Sequence, residues 1–201
     1  AIGDVRTLRG VFSFTLSRAG DIRLDSSLGG GALWDLGSYP VSFMRAMMRE
    51  KPVEVQGLQI RGEGGVDLTF AGQMRFAGGA VGQLYCSFQA LPHSEGDIVG
   101  SQGMIHLDLP WVNRMGVTAN VSVVRTADVE AAATFSDVAA SPKAETLVFK
   151  NANGYRDEVD AMAAGILDGA EPAVPLTDSR DNVATVAALY QSAREGRSVR
   201  L

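Results

Sequence analysis

Across residues 4–16 the apolar side chains fall on alternate positions. Leu8, Phe12, Phe14 and Leu16 share one parity, and Arg9, Ser13 and Thr15 take the other. A period of two predicts a strand with one buried face. Residues 17–31 lose the pattern, are rich in Gly, Ser and Asp, and end in Gly29-Gly30-Gly31, where helix is disfavoured. From residue 32 to about 49 the period changes to that of a helix, with Leu36, Pro40, Phe43, Met44 and Met47 on one stripe. Pro40 cannot donate its amide, so the helix proper is expected to start near Gly37 or Ser38, or to kink there.

Alternation returns over residues 53–110. Val66, Leu68, Phe70, Met74 and Phe76 interleave with Asp67, Thr69, Gln73 and Arg75, and Gly78-Gly79 reads as a hairpin turn. Residues 80–90 continue with Leu84, Cys86 and Phe88 on one parity, and another strand is expected over 104–109. Residues 117–149 carry a weaker β pattern of about three short strands, with loops expected at 126–131 and 139–143. Two helices are expected to close the chain, over 155–167 with a stop at Gly169, and from an N-cap at Thr177 to a stop at Gly196. Strands segregated from helices predict an α+β domain, not a doubly wound sheet.

The 201 residues suit one domain, and an apolar fraction of 46% is enough to build its core. A net charge of -5, with no basic stripe, argues against nucleic acid and anionic membranes as partners. No apolar run approaches the ~20 residues of a membrane span, and no export signal is visible, so the simplest location is cytoplasmic. Cys86 is the one cysteine, which excludes an internal disulfide, and its apolar neighbours predict a buried core thiol. His93 and His106 lack partners at ligand spacing, so no metal site is expected. The parity of His106, opposite to Ile105 and Leu107, sends it towards solvent or an interface.

No Gly-x-Gly-x-x-Gly joins a strand to a helix, and there is no phosphate-binding loop, so the chain shows no dinucleotide cradle of its own. The informative stretch is Gly29-Gly30-Gly31-Ala32-Leu33-Trp34-Asp35-Leu36-Gly37-Ser38-Tyr39-Pro40. On a helix, Asp35 and Tyr39 share a face. A carboxylate and a phenol together can orient and protonate a hydroxyl or carbonyl. With an ordinary pKa of ~10 the phenol needs a cation before it can act as a base near neutrality, and the sequence supplies none with certainty. The same residues also suit plain structural roles, Asp35 as a helix cap and Tyr39 as a packing residue.

That stretch resembles the signature of the glucose-fructose oxidoreductase / inositol dehydrogenase (Gfo/Idh/MocA) family. Ile2-Gly3-Asp4-Val5-Arg6 resembles the opening of its C-terminal domain. Gly100-Ser101-Gln102-Gly103-Met104-Ile105 is similar to its mid-sheet turn, and Tyr155-Arg156-Asp157-Glu158-Val159 and residues 178–199 to its closing helices. The resemblance implies an open, mostly antiparallel sheet with helices on one face, like the C-terminal domain of glyceraldehyde-3-phosphate dehydrogenase. Residues 1–201 would then be the substrate-binding and oligomerisation domain of a two-domain oxidoreductase. Its Rossmann half, which binds NAD or NADP, would be missing. No cofactor is expected on this chain alone, and the chain alone is expected to be inactive.

Members of the family commonly carry Asp-x-x-x-His here. Asp35-Leu36-Gly37-Ser38-Tyr39 instead resembles the branch with glucose-fructose oxidoreductase and dimeric dihydrodiol dehydrogenase, which implies a sugar-, polyol- or dihydrodiol-like alcohol as substrate. By that resemblance Tyr39 donates or accepts the proton and Asp35 positions substrate or phenol. Gly30 and Gly31 would let the backbone approach the nicotinamide, and Arg23 and Trp34 would contact substrate. An Arg23 that merely pairs with Asp21 or Asp25 is the competing reading. Glu50-Lys51-Pro52 mimics the family's lysine tripeptide but follows the helix of Tyr39, so it reads as a solvated turn. A non-catalytic ligand-binding or self-assembly module, using an open sheet face, is the alternative function.

Overall fold

A computed structural model describes residues 2–18, 20–112, 118–125, 144–150 and 153–201. Among these, nine strands form one sheet in the order β8-β7-β6-β5-β1-β4-β3-β2-β9. They are β1 (Val5–Ser13), β2 (Glu54–Arg61), β3 (Asp67–Arg75), β4 (Val81–Ser87), β5 (His93–Gly100), β6 (Gly103–Asp108), β7 (Ala119–Arg125), β8 (Glu145–Phe149) and β9 (Val199–Arg200). Every pairing is antiparallel except β1 with β4. Three α-helices are described, α1 (Ser38–Met48), α2 (Gly154–Asp168) and α3 (Leu176–Glu195), with two short 3-10 turns, Ile22–Leu24 and Ser26–Leu28, and a π-helical turn before α1. The α+β architecture and the open sheet agree with expectation.

Helices α1 and α3 lie side by side on one face of the sheet. The alternation read from the sequence holds for most core positions, while Val11, Ser13 and Asp67 on the other parity are buried as well. Leu8, Phe70, Met74, Phe76, Leu84 and Cys86 are buried under the helices with Met44, Val186 and Leu189. Gly10 lies under Pro40 and Gly57 under the backbone of α3, where a β-carbon would collide with each. Small residues there let helix and sheet approach closely, so removing water from this face stabilises the fold by roughly 25 cal/mol per Å² of apolar surface. Arg45 of α1 is buried and pairs with Asp178 at the start of α3, 2.8 Å away, tying the two helices together.

Three details differ from the expected pattern. The helix from residue 32 opens as a π-helical turn, Leu33–Gly37, before α1 begins at Ser38. Pro40 therefore lies just past the π-helical turn, and its missing amide donor falls where the hydrogen-bond pattern changes from π to α. The last helix starts at Leu176 beyond Pro175, so Thr177 lies inside the first turn and does not cap it. Proline, with its fixed φ and no N–H, supplies the start instead. Glycines 169 and 196 end α2 and α3 in the left-handed conformation, as expected. The loops expected at 126–131 and 139–143 lie outside the described residues.

Candidate active site

The π-helical turn carries Asp35 and leads into α1, which carries Tyr39. The turn is held from beneath. Asp67 of β3, almost fully buried, accepts hydrogen bonds from the Leu33 amide at 2.8 Å and from the Tyr190 hydroxyl of α3 at 2.6 Å. A carboxylate at the amino end of the turn meets its unpaired N–H groups. Burial pushes the Asp67 carboxyl above the usual range, while these two donors pull it down. The Tyr190 phenol is pushed up by burial and by Asp67. Gly31 sits at φ +131, where a β-carbon would strike Asp67 and the Tyr190 hydroxyl. At Gly30 a β-carbon would meet the backbone of Arg23. The close approaches the structure describes at both glycines are thus to the chain itself.

Asp35, Arg23 and Tyr39 line one cavity of about 660 Å³, within the range of small-molecule sites, roughly 300–1,000 Å³. Its walls are aromatic: Phe12 and Phe14 at the end of β1, Trp111 after β6, and Tyr155 from the first turn of α2. Phe12 meets Tyr39 edge-on at 5.5 Å, and the Trp111 ring lies 6.5 Å from Tyr39. Trp111 is fixed by its indole N–H, which donates to the Val11 carbonyl at 2.9 Å, and by edge-on packing on Phe43. Such walls suit the apolar faces of a ring.

The polar floor is an ion-pair array. Arg23 Nε donates to Asp35 Oδ2 at 2.8 Å and Arg23 Nη1 donates to Asp21 Oδ1 at 3.3 Å. Arg23 therefore pairs with Asp21, and with Asp35, which the sequence did not suggest. Asp35 accepts from a guanidinium; the backbone Asx contact at this end of the chain belongs to Asp21, which takes the Arg23 amide. Flanked by two carboxylates, the guanidinium is raised above its usual pKa.

Tyr39 is 45% exposed. Partial burial raises its pKa above the usual phenol value, reinforced by Tyr155, Asp35 and Glu158 and only partly opposed by Arg23. With these neighbours the phenol is a proton donor near neutrality. To serve as a base it needs a further cation.

Trp34 lies apart from that cavity. With Gly30, Tyr190, Arg61 and Arg194 it lines a second one of about 380 Å³, and its ring stacks on Tyr190 at 5.8 Å. Gly31 is buried and lines neither. Of the residues singled out in the sequence, the structure thus brings together Arg23, Asp35 and Tyr39. Lys51 is exposed in the turn after α1, as expected for Glu50-Lys51-Pro52. Cys86 is buried beneath Gly37, and burial pushes its thiol well up. The wall residues Phe12, Trp111 and Tyr155 were not found in the sequence. They come from separate elements, and no local motif links them.

The opposite face of the sheet has a second polar array. Arg9 reaches Asp97 at 2.6 Å and Glu95 at 2.8 Å; His106 lies 2.6 Å from Asp97, and His93 lies 3.1 Å from Glu95 and 2.7 Å from the Tyr85 hydroxyl. The parity argument for His106 holds. Among the described residues no group of three His, Cys, Asp or Glu could hold a metal ion, and no helix is long and apolar enough to cross a membrane.

A family model described as the GFO/IDH/MocA C-terminal domain matches residues 1–106. The chain is 28% identical over 201 residues to D-xylose 1-dehydrogenase (NADP(+)) 2 of Haloferax volcanii, covering 100% of this chain and 57% of that protein. It is 30% identical over 193 residues to trans-1,2-dihydrobenzene-1,2-diol dehydrogenase of Xenopus laevis, covering 92% of this chain and 53% of the relative. Among solved structures, levoglucosan dehydrogenase in complex with NADH and levoglucosan superposes with a TM-score of 0.80 at 19% identity, over 100% of this chain and 60% of that one. The chain thus spans little more than half the length of the proteins it matches.

Proposed function

The chain belongs to the GFO/IDH/MocA C-terminal domain family, and on that premise we propose that the whole protein is a nicotinamide-dependent oxidoreductase acting on an uncharged ring alcohol. Residues 1–201 form its substrate-binding and oligomerisation domain. Sugars, cyclic polyols and dihydrodiols are the candidate substrates. The observation that carries this reading is the single cavity in which a phenol and an ion-paired carboxylate meet aromatic walls.

The residues present fit the reactive end of a nicotinamide and not its diphosphate. The cavity has flat apolar walls and a proton donor, but no glycine-rich strand-to-helix turn lies beside it among the described residues. When bound, the cofactor supplies or removes hydride. Tyr39 supplies the proton that a carbonyl oxygen needs on becoming a hydroxyl. Asp35, steered by Arg23, has one oxygen committed to the guanidinium and accepts a hydrogen bond from a substrate hydroxyl with the other. Because Asp21 and Asp35 already neutralise Arg23, a substrate carboxylate or phosphate finds no free cation there among the described residues. Alcohol oxidation requires Tyr39 as phenolate, and the cation for that has to come from outside the described residues. The chain by itself is therefore inactive in this reading.

The test is turnover by the full-length gene product with NAD or NADP and a panel of aldoses, cyclic polyols and diols. Tyr39→Phe is expected to lower kcat by roughly 10²–10⁴-fold, the usual contribution of a positioned acid or base, with nicotinamide binding retained. Unchanged kcat in that variant refutes the role of Tyr39. The polar array on the open sheet face, flanked by exposed Leu58 and Ile60, supports pairing with a second copy through that face. If the native gene product has a mass near 21.2 kDa, the non-catalytic assembly module replaces the enzyme.

A further inference from the structure

The second cavity, on the Trp34 side of the π-helical turn, holds two arginines that no carboxylate pairs with among the described residues. Elsewhere in the sheet and helices the arginines are matched: Arg9, Arg23, Arg45 and Arg75 each form an ion pair with an acidic side chain. Arg61 of β2 instead donates from Nε and Nη2 to the Gly65 carbonyl, which carries no charge to cancel its own. Arg194 stands in the last turn of α3, and the neighbouring Glu195 goes to Arg197. The one carboxylate on the cavity wall, Asp67, is 2% exposed and already accepts from the Leu33 amide and the Tyr190 hydroxyl. It is felt by Arg61 through space, but its oxygens are taken. Two guanidiniums against one enclosed carboxylate leave the cavity net positive.

The same cavity has an aromatic wall. Trp34 is 38% exposed, and its ring is braced on Tyr190, whose hydroxyl is in turn fixed by Asp67. The indole is therefore held in place with part of its surface left for a ligand. The cavity, about 380 Å³, is large enough for one small ring with a head group. We propose that it is a binding site for a small organic anion, with a carboxylate or phosphate on Arg61 and Arg194 and a flat ring against Trp34. Guanidinium forks match both oxyanions in shape and charge. Trp34 and Asp35 are neighbours on one turn yet line different cavities, so an occupant of the second leaves the first open. The two differ in charge as well. Arg23 in the first is neutralised by Asp21 and Asp35, and the arginines of the second are not. This inference does not rest on the oxidoreductase reading, because it needs neither nicotinamide nor turnover.

The probes are benzoate, phenyl phosphate, inorganic phosphate and, as the uncharged control, benzyl alcohol. Their binding to the full-length gene product, without nicotinamide, is followed by ligand-detected NMR at low ionic strength, where exposed charges are least screened. Benzoate or phenyl phosphate is expected to bind at least roughly tenfold more tightly than benzyl alcohol, the loss that accompanies a missing charge-assisted hydrogen bond. Whichever of the two binds more tightly identifies the head group. Arg61→Gln and Arg194→Gln are each expected to weaken that binding by about tenfold or more. Arg180→Gln, at the other end of α3 and equally exposed to solvent, leaves it unchanged. Arg194 is an exposed side chain whose loss spares the fold, so its result stands even if Arg61→Gln fails to fold. Trp34→Leu is expected to weaken phenyl phosphate about threefold and to leave inorganic phosphate unchanged. Equal affinities for benzoate, phenyl phosphate and benzyl alcohol overturn the proposal, as does unchanged binding in Arg194→Gln. Loss of binding in Arg23→Gln but not in Arg194→Gln assigns the anion to the first cavity and overturns it too. Turnover is assayed separately on the same samples. Anion binding without turnover upholds this site and removes the oxidoreductase reading; turnover without anion binding does the reverse.

Discussion

Tyr190→Phe isolates the support beneath the π-helical turn. The substitution removes one oxygen and leaves the ring, which packs on Trp34 and Phe70. Asp67, itself only 2% exposed, then keeps the Leu33 amide but loses a 2.6 Å donor. A hydrogen bond to a charged group is worth about 1.5–3 kcal/mol, and one between neutral groups about 1 kcal/mol. Burial raises the Asp67 carboxyl in the folded state. Its contribution to stability is therefore full below the unfolded value of about 3.9 and is lost as pH rises through the folded value. Deleting Tyr190 removes a group that lowers the folded value, so this loss becomes larger.

The variant should accordingly be destabilised by about 1 kcal/mol near pH 4 and about 2–3 kcal/mol near pH 7. For a chain of this length that is roughly 4–12 °C in Tm at neutrality. Thermal unfolding of the 201-residue chain, followed by circular dichroism at both pH values, measures it. In the background of Asp67→Asn, which cannot ionise, the pH dependence of the Tyr190→Phe effect should vanish. A neutral-pH Tm within about 1 °C of the parent, or a larger loss in acid than at neutrality, would refute the account of Asp67 and Tyr190 given above.

Other outcomes follow from the same geometry. Gly31→Ala should cost roughly 2–4 kcal/mol, because it combines a strained φ with a clash on Asp67 and Tyr190. Gly29→Ala, also at positive φ but in open space, should cost only about 1–2 kcal/mol in the same denaturant titration, and equal costs would contradict the packing argument. Asp178→Ala strands the buried Arg45 guanidinium and should cost about 1–3 kcal/mol, less than for a fully buried pair because the Asp178 carboxylate is 38% exposed. Adding Arg45→Met should recover at least half of that loss, and no recovery would show that the salt bridge is not what matters there.

Much of this protein was legible along the chain, because its strands have one wet face and one dry face. Leu84, Cys86 and Phe88 alternate with polar neighbours, and that alternation alone identifies the core side of β4 and places His106 of β6 away from the core. Helix ends were legible where a glycine must take φ > 0, as at Gly169 and Gly196. The pairing of Asp35 with Tyr39 was legible because four residues make one turn. The segregation of strands from helices determined the α+β class.

Only the tertiary structure decided the rest, because it depends on contacts between residues far apart in sequence. The parallel pairing of β1 with β4 lays no mark on either strand's own pattern. The π-helical turn depends on Asp67 and Tyr190, which meet it from β3 and α3. Arg23 had Asp21 and Asp25 within reach by sequence, and the fold paired it with Asp21 and with the more distant Asp35. Trp111, after β6, and Tyr155, on α2, meet as walls of one cavity, and Trp34, adjacent to Asp35 in sequence, lines a different one. Periodicity reports which side of an element is dry. Which elements meet there is set by the packing that makes it dry.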